Sequence, residues 1–216
     1  MDNLDTIIET IRATFMERNA ARDLTLGRSR ELIRFCSLTI RAVHREEFAE
    51  AEELLNTAKQ AAAAMKADIA AHPELYYTGY TQDSLKELTE ACCVFAIVQH
   101  KPIPTPEEIE VDEAAYLNGL AEAASELRRR AIDLIRRDRV DEAESMLAAM
   151  DDIYAQLVTI DFPDALTGGL RRTTDTLRAV LERTRGDLTT TLQQEKLQKA
   201  LREMESVMRG STAPHV

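Results

Sequence analysis

Four carboxylates carry the chain's best chemical lead. Glu87 and Glu90 in KELTEACCVFAIVQH, and Glu122 and Glu126 in YLNGLAEAASELRRR, are spaced by three and four residues on two successive apolar stretches. In an α-helix such spacing puts each pair on one face. Two such units facing each other hold a divalent cation through oxygen alone, which favours a hard ion such as magnesium or manganese. Mg²⁺ usually takes one or two carboxylates and completes its shell with water and substrate phosphate, so the pattern points to phosphodiester chemistry. Competing chemistries find no support. Cys36, Cys92 and Cys93 make no C-x-x-C, there is no Gly-rich phosphate loop, and no Ser/His/Asp arrangement suggests itself. A di-iron site in a helical bundle requires Glu-x-x-His, and none of His44, His72, His100 and His215 follows a glutamate by three.

Spacing alone is weak in a chain with 38 acidic residues, where Glu50 with Glu53 and Glu107 with Glu110 repeat it, and charged helix faces are mostly solvated. Context distinguishes the first pair. On a helical wheel Glu87 and Glu90 align with Ala91, Val94 and Val98, beside a stripe of Leu85, Leu88, Cys92 and Phe95, so both border the buried side. Like charges against apolar surface raise each other's proton affinity unless a cation or donor neutralises them. Glu122 and Glu126 edge a stripe of Leu117, Leu120, Ala121, Ala124 and Leu127, and Glu126 has the alternative of pairing with Arg130 four residues on.

The elements that must position these acids read as helices. With 7 Gly and 6 Pro in 216 residues, and Ala, Leu, Glu and Arg abundant, the composition favours an all-α fold. Periodicity predicts a helix from Leu4 to about Val43, capped by Asp2 or Asn3 and either continuous or divided at Gly27. A second runs from Glu47 to about Ala71 and is stopped by His72 and Pro73. PELYYTGYTQDS reads as an irregular connection, with Gly79 as breaker and Asp83 or Ser84 as the next N-cap, followed by a helix over Leu85 to Gln99. Thr105 before Pro106 marks a short helix. Longer ones follow over Glu113 to Arg137, Asp141 to Ile160 and Leu170 to Met208, the last open to division at Gly186. The sum is a single-domain antiparallel bundle of about seven helices spanning 1–216, with 209–216 a frayed tail.

Three cysteines without framework spacing fit a reducing compartment. The acidic start MDNLDTIIET is unlike a secretory signal, and the longest apolar run, ACCVFAIV, is too short for a bilayer; the expectation is a soluble, cytoplasmic protein with no membrane association. A net charge of -11 argues against coating nucleic acid with the general surface, but leaves room for a local basic groove. Arg30, Arg34, Arg41 and Arg45 fall near one helical line with His44 alongside, a stripe able to follow a phosphate backbone. The alternative is a solvated face paired with acids of the second helix. Arg171, Arg178 and Arg185, spaced by seven, fit a second stripe or coiled-coil packing edges equally well.

Beyond these local readings, the chain resembles the translin and translin-associated factor X (TRAX) family from about residue 20 to 208. RDLTLGRSRELIRFCSLTIRAVHR is similar to that family's helix of spaced Arg and Ile with a His-Arg end. LKELTEACCVFAIV resembles the Glu-x-x-Glu-Ala element of the factor X branch, and YLNGLAEAASELRRR its Tyr-Leu-x-Gly helix. The resemblance implies a seven-helix fold, a hollow homo-octamer that binds nucleic acid inside, and, for the factor X branch, Mg²⁺-dependent endoribonuclease activity. It places the first two catalytic acids on Glu87 and Glu90 and the third on Glu122, where the branch usually has Asp, with Glu126 as a further metal-holding acid. RNA is the implied partner. A non-catalytic translin-type nucleic-acid-binding shell, and a helical scaffold for protein partners, are the alternatives; GYTQDSLKEL lacks the basic stretch that translin carries before this helix.

Overall fold

Apolar residues at three- and four-residue spacing run through most of the chain, and they fold it into helices joined by short links. A computed structural model describes residues 3–211. Among them are α1 (Leu4–His44), α2 (Phe48–Asp68), α3 (Gly79–Val98), α4 (Pro106–Ile109), α5 (Glu113–Ile135), α6 (Val140–Leu157), α7 (Asp164–Thr167) and α8 (Leu170–Ser211), with a 3-10 turn at Pro73–Leu75. The all-α expectation holds, with no strand among the described residues. Since α4 and α7 are single turns, six long helices do the packing. None of the described helices is long and apolar enough to cross a membrane.

Several boundaries differ from expectation for local reasons. Gly27 and Gly186 interrupt nothing, because the ~1 kcal/mol that glycine costs a helix interior is small beside the packing on either side. Helix α2 stops at Asp68, a turn before His72 and Pro73. Gly79 opens α3 instead of breaking the chain, and Thr78 is its N-cap residue in place of Asp83 or Ser84. That early start is held by side chains: Thr78 and Thr81 hydroxyls both donate to the Leu75 carbonyl, at 2.7 and 2.9 Å, and the Gln82 amide donates to the Tyr76 carbonyl at 2.8 Å. Thr105 does cap α4, in a reciprocal box with Glu108. Asn3 occupies the N-cap of α1 without a side-chain hydrogen bond, and Asp2 lies outside the described residues. Helix α8 runs through Ser211, into the segment expected to fray; residues 212–216 lie outside the description.

The second half of α1 packs on α2 and α3, α3 on α5, and α5 on α6 and α8. Leu32, Cys36, Leu88, Leu127 and Leu181 belong to one contiguous buried core. Helix α8 contributes Leu170, Thr174, Leu177, Leu181, Thr184 and Leu188, a buried seam with alternating spacings of four and three like that of a coiled coil. Outside the core both terminal helices run on: residues 4–20 of α1 and 193–208 of α8 are exposed.

One glycine sets the distance between α3 and α5. A Cβ built on Gly119 would lie 2.5 Å from the Lys86 carbonyl oxygen and 2.6 Å from Thr89 Cβ, so the two helices cross at a separation only glycine permits. Next to it, the buried Asn118 amide donates to the carbonyls of Ala114 and Thr167, both at 2.8 Å, and its oxygen accepts from the Thr173 hydroxyl at 2.7 Å, tying α5 to α7 and α8. Gly27 has nothing within 4 Å of such a Cβ. Urea unfolding should therefore give opposite signs for two identical substitutions: Gly27→Ala stabilises by about 0.5–1 kcal/mol through helix propensity, whereas Gly119→Ala destabilises by about 1–3 kcal/mol through overpacking.

Candidate metal centre

The close crossing at Gly119 brings three of the four acids together. Glu87 and Glu90 on α3 and Glu122 on α5, one turn beyond Gly119, each present a ligand oxygen, and these oxygens lie within 4.8 Å of one another. All three are half-buried, as the wheel placed Glu87 and Glu90. Glu90 and Glu122, with Ser125 and Glu126 and with Arg172 and Thr176 from α8, line a cleft of about 400 Å³.

The electrostatics show what the cluster costs. Burial, then the charges of Glu87, Glu122 and Glu126, push the Glu90 carboxyl from its ordinary 4.5 up to about 8. Burial and Glu122 also raise Glu87, against an opposing effect of Lys86. Lys86 is the nearby cation, donating to Glu122 Oε1 at 2.8 Å. Burial lowers that ammonium's hold on its proton, but the Glu122 hydrogen bond and charge outweigh it and the net shift is upward. An all-oxygen donor set converging from two helices, with carboxyls held away from their ordinary ionisation, fits a hard divalent cation.

Glu126 stands outside the three. It accepts from His44 Nε2 at 2.7 Å, and Arg129 approaches at 3.5 Å. His44 is 4 % exposed and its Nδ1 is buried without a hydrogen-bond partner. The alternative pairing of Glu126 with Arg130 does not form. Arg130, itself 4 % exposed, turns to Glu46 at the α1–α2 corner, where Glu46 Oε1 accepts from Arg130 at 2.6 Å, Arg139 at 2.5 Å and Arg137 at 3.3 Å. The Arg130 and Arg139 hydrogen bonds hold the Glu46 carboxyl below its ordinary range.

The arginine stripe is not part of this cleft. Arg30, Arg34, Arg41 and Arg45 are all exposed. Arg45 pairs with Glu47 and Glu50 of the next helix and its approach, as the solvated-face alternative anticipates, while Arg34 lies 5.6 Å from the Phe35 ring centroid. Arg30 and Arg41 form no ion pair among the described residues. In the second stripe, Arg185 is held by Asp151 and Glu182. Three residues beside the acids carry no signal in the sequence: Lys86, which bonds Glu122, is the sole cation in GYTQDSLKEL; His44, which bonds Glu126, reads as a neighbour of the stripe; and Arg172, which lines the cleft, falls one position off the seven-residue spacing.

Fold and site together define a class: an all-α bundle whose central helix pair carries an interhelical carboxylate cluster suited to a hard cation. No protein-family model matches the chain. It is 30% identical over 207 residues to an uncharacterized protein of Methanocaldococcus jannaschii, covering 95% of this chain and 90% of the relative. Among solved structures it superposes on AfC3PO with a TM-score of 0.78 at 34% identity, over 85% of this chain and 96% of that one. AfC3PO in complex with duplex RNA gives a TM-score of 0.77 at 34% identity, over 85% and 95%. Apo-NeC3PO, 18% identical, shares the fold with a TM-score of 0.77 over 85% and 96%. The chain belongs to the translin/TRAX family.

The raised carboxyls make a signed prediction. A carboxyl whose folded value lies above its unfolded one contributes stability that is complete below about 4.5 and is lost as pH rises through the folded value, near 8 for Glu90. With a chelator present, the melting temperature should fall between these limits. Glu90→Gln should flatten that fall and stabilise the protein at pH 8.5 by roughly 2 kcal/mol, about 4–8 °C in a calorimetric melt.

Proposed function

We propose that the protein is a Mg²⁺-dependent endoribonuclease, acting on RNA held within a homo-oligomer. The observation that carries this reading is the convergence of Glu87, Glu90 and Glu122 within 4.8 Å, half-buried and with Glu90 pushed up to about 8, in a family whose member AfC3PO has been solved with duplex RNA. Such a cluster serves stability poorly and a cation well. Glu87, Glu90 and Glu122 hold the cation, Mg²⁺ or Mn²⁺ by the hardness of their oxygens. When bound, it supplies Lewis-acid activation of a phosphoryl oxygen and of water.

The chain's own residues do the rest. Glu126 lines the same cleft and is oriented by the His44 N–H, which leaves its carboxylate placed to accept the proton of the attacking water. As the water oxygen bonds to phosphorus, the bond to the departing ribose oxygen breaks. Arg172, exposed on the α8 wall of the cleft and in no ion pair among the described residues, offsets the charge of the phosphate. Arg30 and Arg41 are the stripe members available to phosphates further along the strand, with Arg34 stacked beside Phe35 and Arg45 already engaged. Three buried free thiols, Cys36, Cys92 and Cys93, suit a cytoplasmic setting.

Assembly has a visible basis in the exposed arms. Leu4, Ile8, Ile11 and Phe15 make an exposed stripe on α1, and Leu197, Leu201 and Met204 another on α8, each residue 45–62% exposed. Apolar stripes at coiled-coil spacing pair with further copies of the chain, toward the octamer that the family resemblance implies.

Two measurements test this. Labelled RNA incubated with purified protein should yield fragments only with added Mg²⁺ or Mn²⁺; Glu90→Ala should reduce the rate at least ~100-fold with helical content unchanged. Retention of RNA without fragments at saturating metal would instead mark a binding shell. In light scattering, Ile11→Asp combined with Leu201→Asp should lower the particle mass relative to wild type, and an unchanged mass would remove the arms from the assembly.

A further inference from the structure

The acid cluster carries its own cation. Lys86 immediately precedes Glu87 on α3, and its ammonium reaches across to α5 to donate to Glu122 Oε1 at 2.8 Å, with Asp83 Oδ1 4.0 Å away. Its side chain is 24% exposed, so the pair is only partly screened by water. Glu122 is also one of the three carboxylates that converge. An ammonium hydrogen-bonded to a carboxylate repels any divalent cation drawn to that same carboxylate. The two therefore compete for Glu122, and the lysine's positive charge lowers the cluster's affinity for metal whichever oxygen it holds.

A second observation is the space beside this pair. Lys86 lines a neighbouring cavity of about 520 Å³, walled by Tyr77, Gln82, Asp112, Asn118 and Leu166. Thr173 of α8 lines both this cavity and the carboxylate cleft, so the two adjoin, and Lys86 belongs to their border. The flexible four-carbon stem needs only rotamer changes to turn the ammonium from Glu122 into that space. There the carboxylates of Asp83, Asp112 and Glu113 give a displaced ammonium new partners.

We propose that Lys86 is an exchangeable counter-ion of the carboxylate cluster: it holds Glu122 in competition with the divalent cation, and once displaced its ammonium turns into the adjoining cavity, toward Asp83, Asp112 and Glu113. This rests on the reading of the cluster as a metal-dependent RNA-cleaving site. It makes Lys86 a residue that restrains metal binding, so its neutralisation tightens the site for Mg²⁺. A lysine serving only to support the fold would, when neutralised, weaken Mg²⁺ binding or leave it unchanged.

The test uses the full-length chain stripped with a chelator. Wild type, Lys86→Gln and Lys86→Arg are titrated calorimetrically with MgCl₂ alone, and then assayed on labelled RNA across a MgCl₂ series. Lys86→Gln should bind Mg²⁺ about tenfold more tightly, from the loss of one positive charge a few ångströms from the site, and reach half-maximal cleavage at correspondingly lower Mg²⁺. Lys86→Arg should stay near wild type in Mg²⁺ affinity. If Lys86→Gln melts well below wild type, Lys86→Met, which keeps the apolar stem, replaces it in the same titration. Unchanged or weaker Mg²⁺ binding by the neutral variant overturns the proposal. Should wild-type protein bind Mg²⁺ and cleave no RNA, the ribonuclease reading fails, while tighter Mg²⁺ binding by Lys86→Gln would still establish the counter-ion.

Discussion

The contact on which the rest depends is a helix crossing with no side chain in it. Gly119 lies against the Lys86 carbonyl and Thr89, and this absence of a Cβ lets α5 approach α3 closely. The positions one turn along from the crossing are those of the acids, with Glu90 next to Thr89 and Glu122 three residues beyond Gly119. Carboxylates on two helices at ordinary packing distance, 8–10 Å between axes, would have to reach farther to share one cation. Asn118 ties the same segment of α5 to α7 and α8 with one hydrogen bond each, so the close approach is fixed in rotation as well as in distance.

That geometry opposes stability. Burial and neighbouring charges raise the Glu87 and Glu90 carboxyls, and the fold answers with neighbours drawn from other helices: Lys86 against Glu122, and His44 against Glu126. Just beyond, the buried guanidinium of Arg130 could have served Glu126, but Glu46 takes it, together with Arg139 and Arg137. The α1–α2 corner therefore draws Arg130 away from the carboxylate cleft, while Arg128 pairs with Asp187 of α8. Elsewhere the -11 net charge is spread over exposed helix faces, where water screens it.

Most of the helical architecture was legible because periodicity reports which face of a helix is covered. The placement of Glu87 and Glu90 in line with Ala91, Val94 and Val98 correctly marked them as half-buried, and Thr105 before Pro106 announced the short helix α4. Glycine as punctuation was less reliable. Gly27 and Gly186 cost too little to break helices held on both sides, and Gly79 starts one because Thr78, Thr81 and Gln82 satisfy the carbonyls of the preceding turn. The neighbours of the acids were illegible for a different reason. Lys86 and Glu122 are 36 residues apart, and His44 and Glu126 are 82 apart. Spacing rules describe one helix at a time, whereas these pairs exist only once α1, α3 and α5 have packed. Arg130 was misplaced by the same limitation, since a partner four residues away in sequence lost to one on another element.

Helix α1 joins two matters that have so far been separate. It is 41 residues long and unbroken, a rod of about 60 Å whose exposed apolar stripe and whose His44 lie about 50 Å apart. Because Gly27 leaves it uninterrupted, no hinge separates the exposed arm from the packed half. One continuous rod thus carries, at one end, the apolar face left open to solvent and, at the other, the histidine that holds a carboxylate of the cleft.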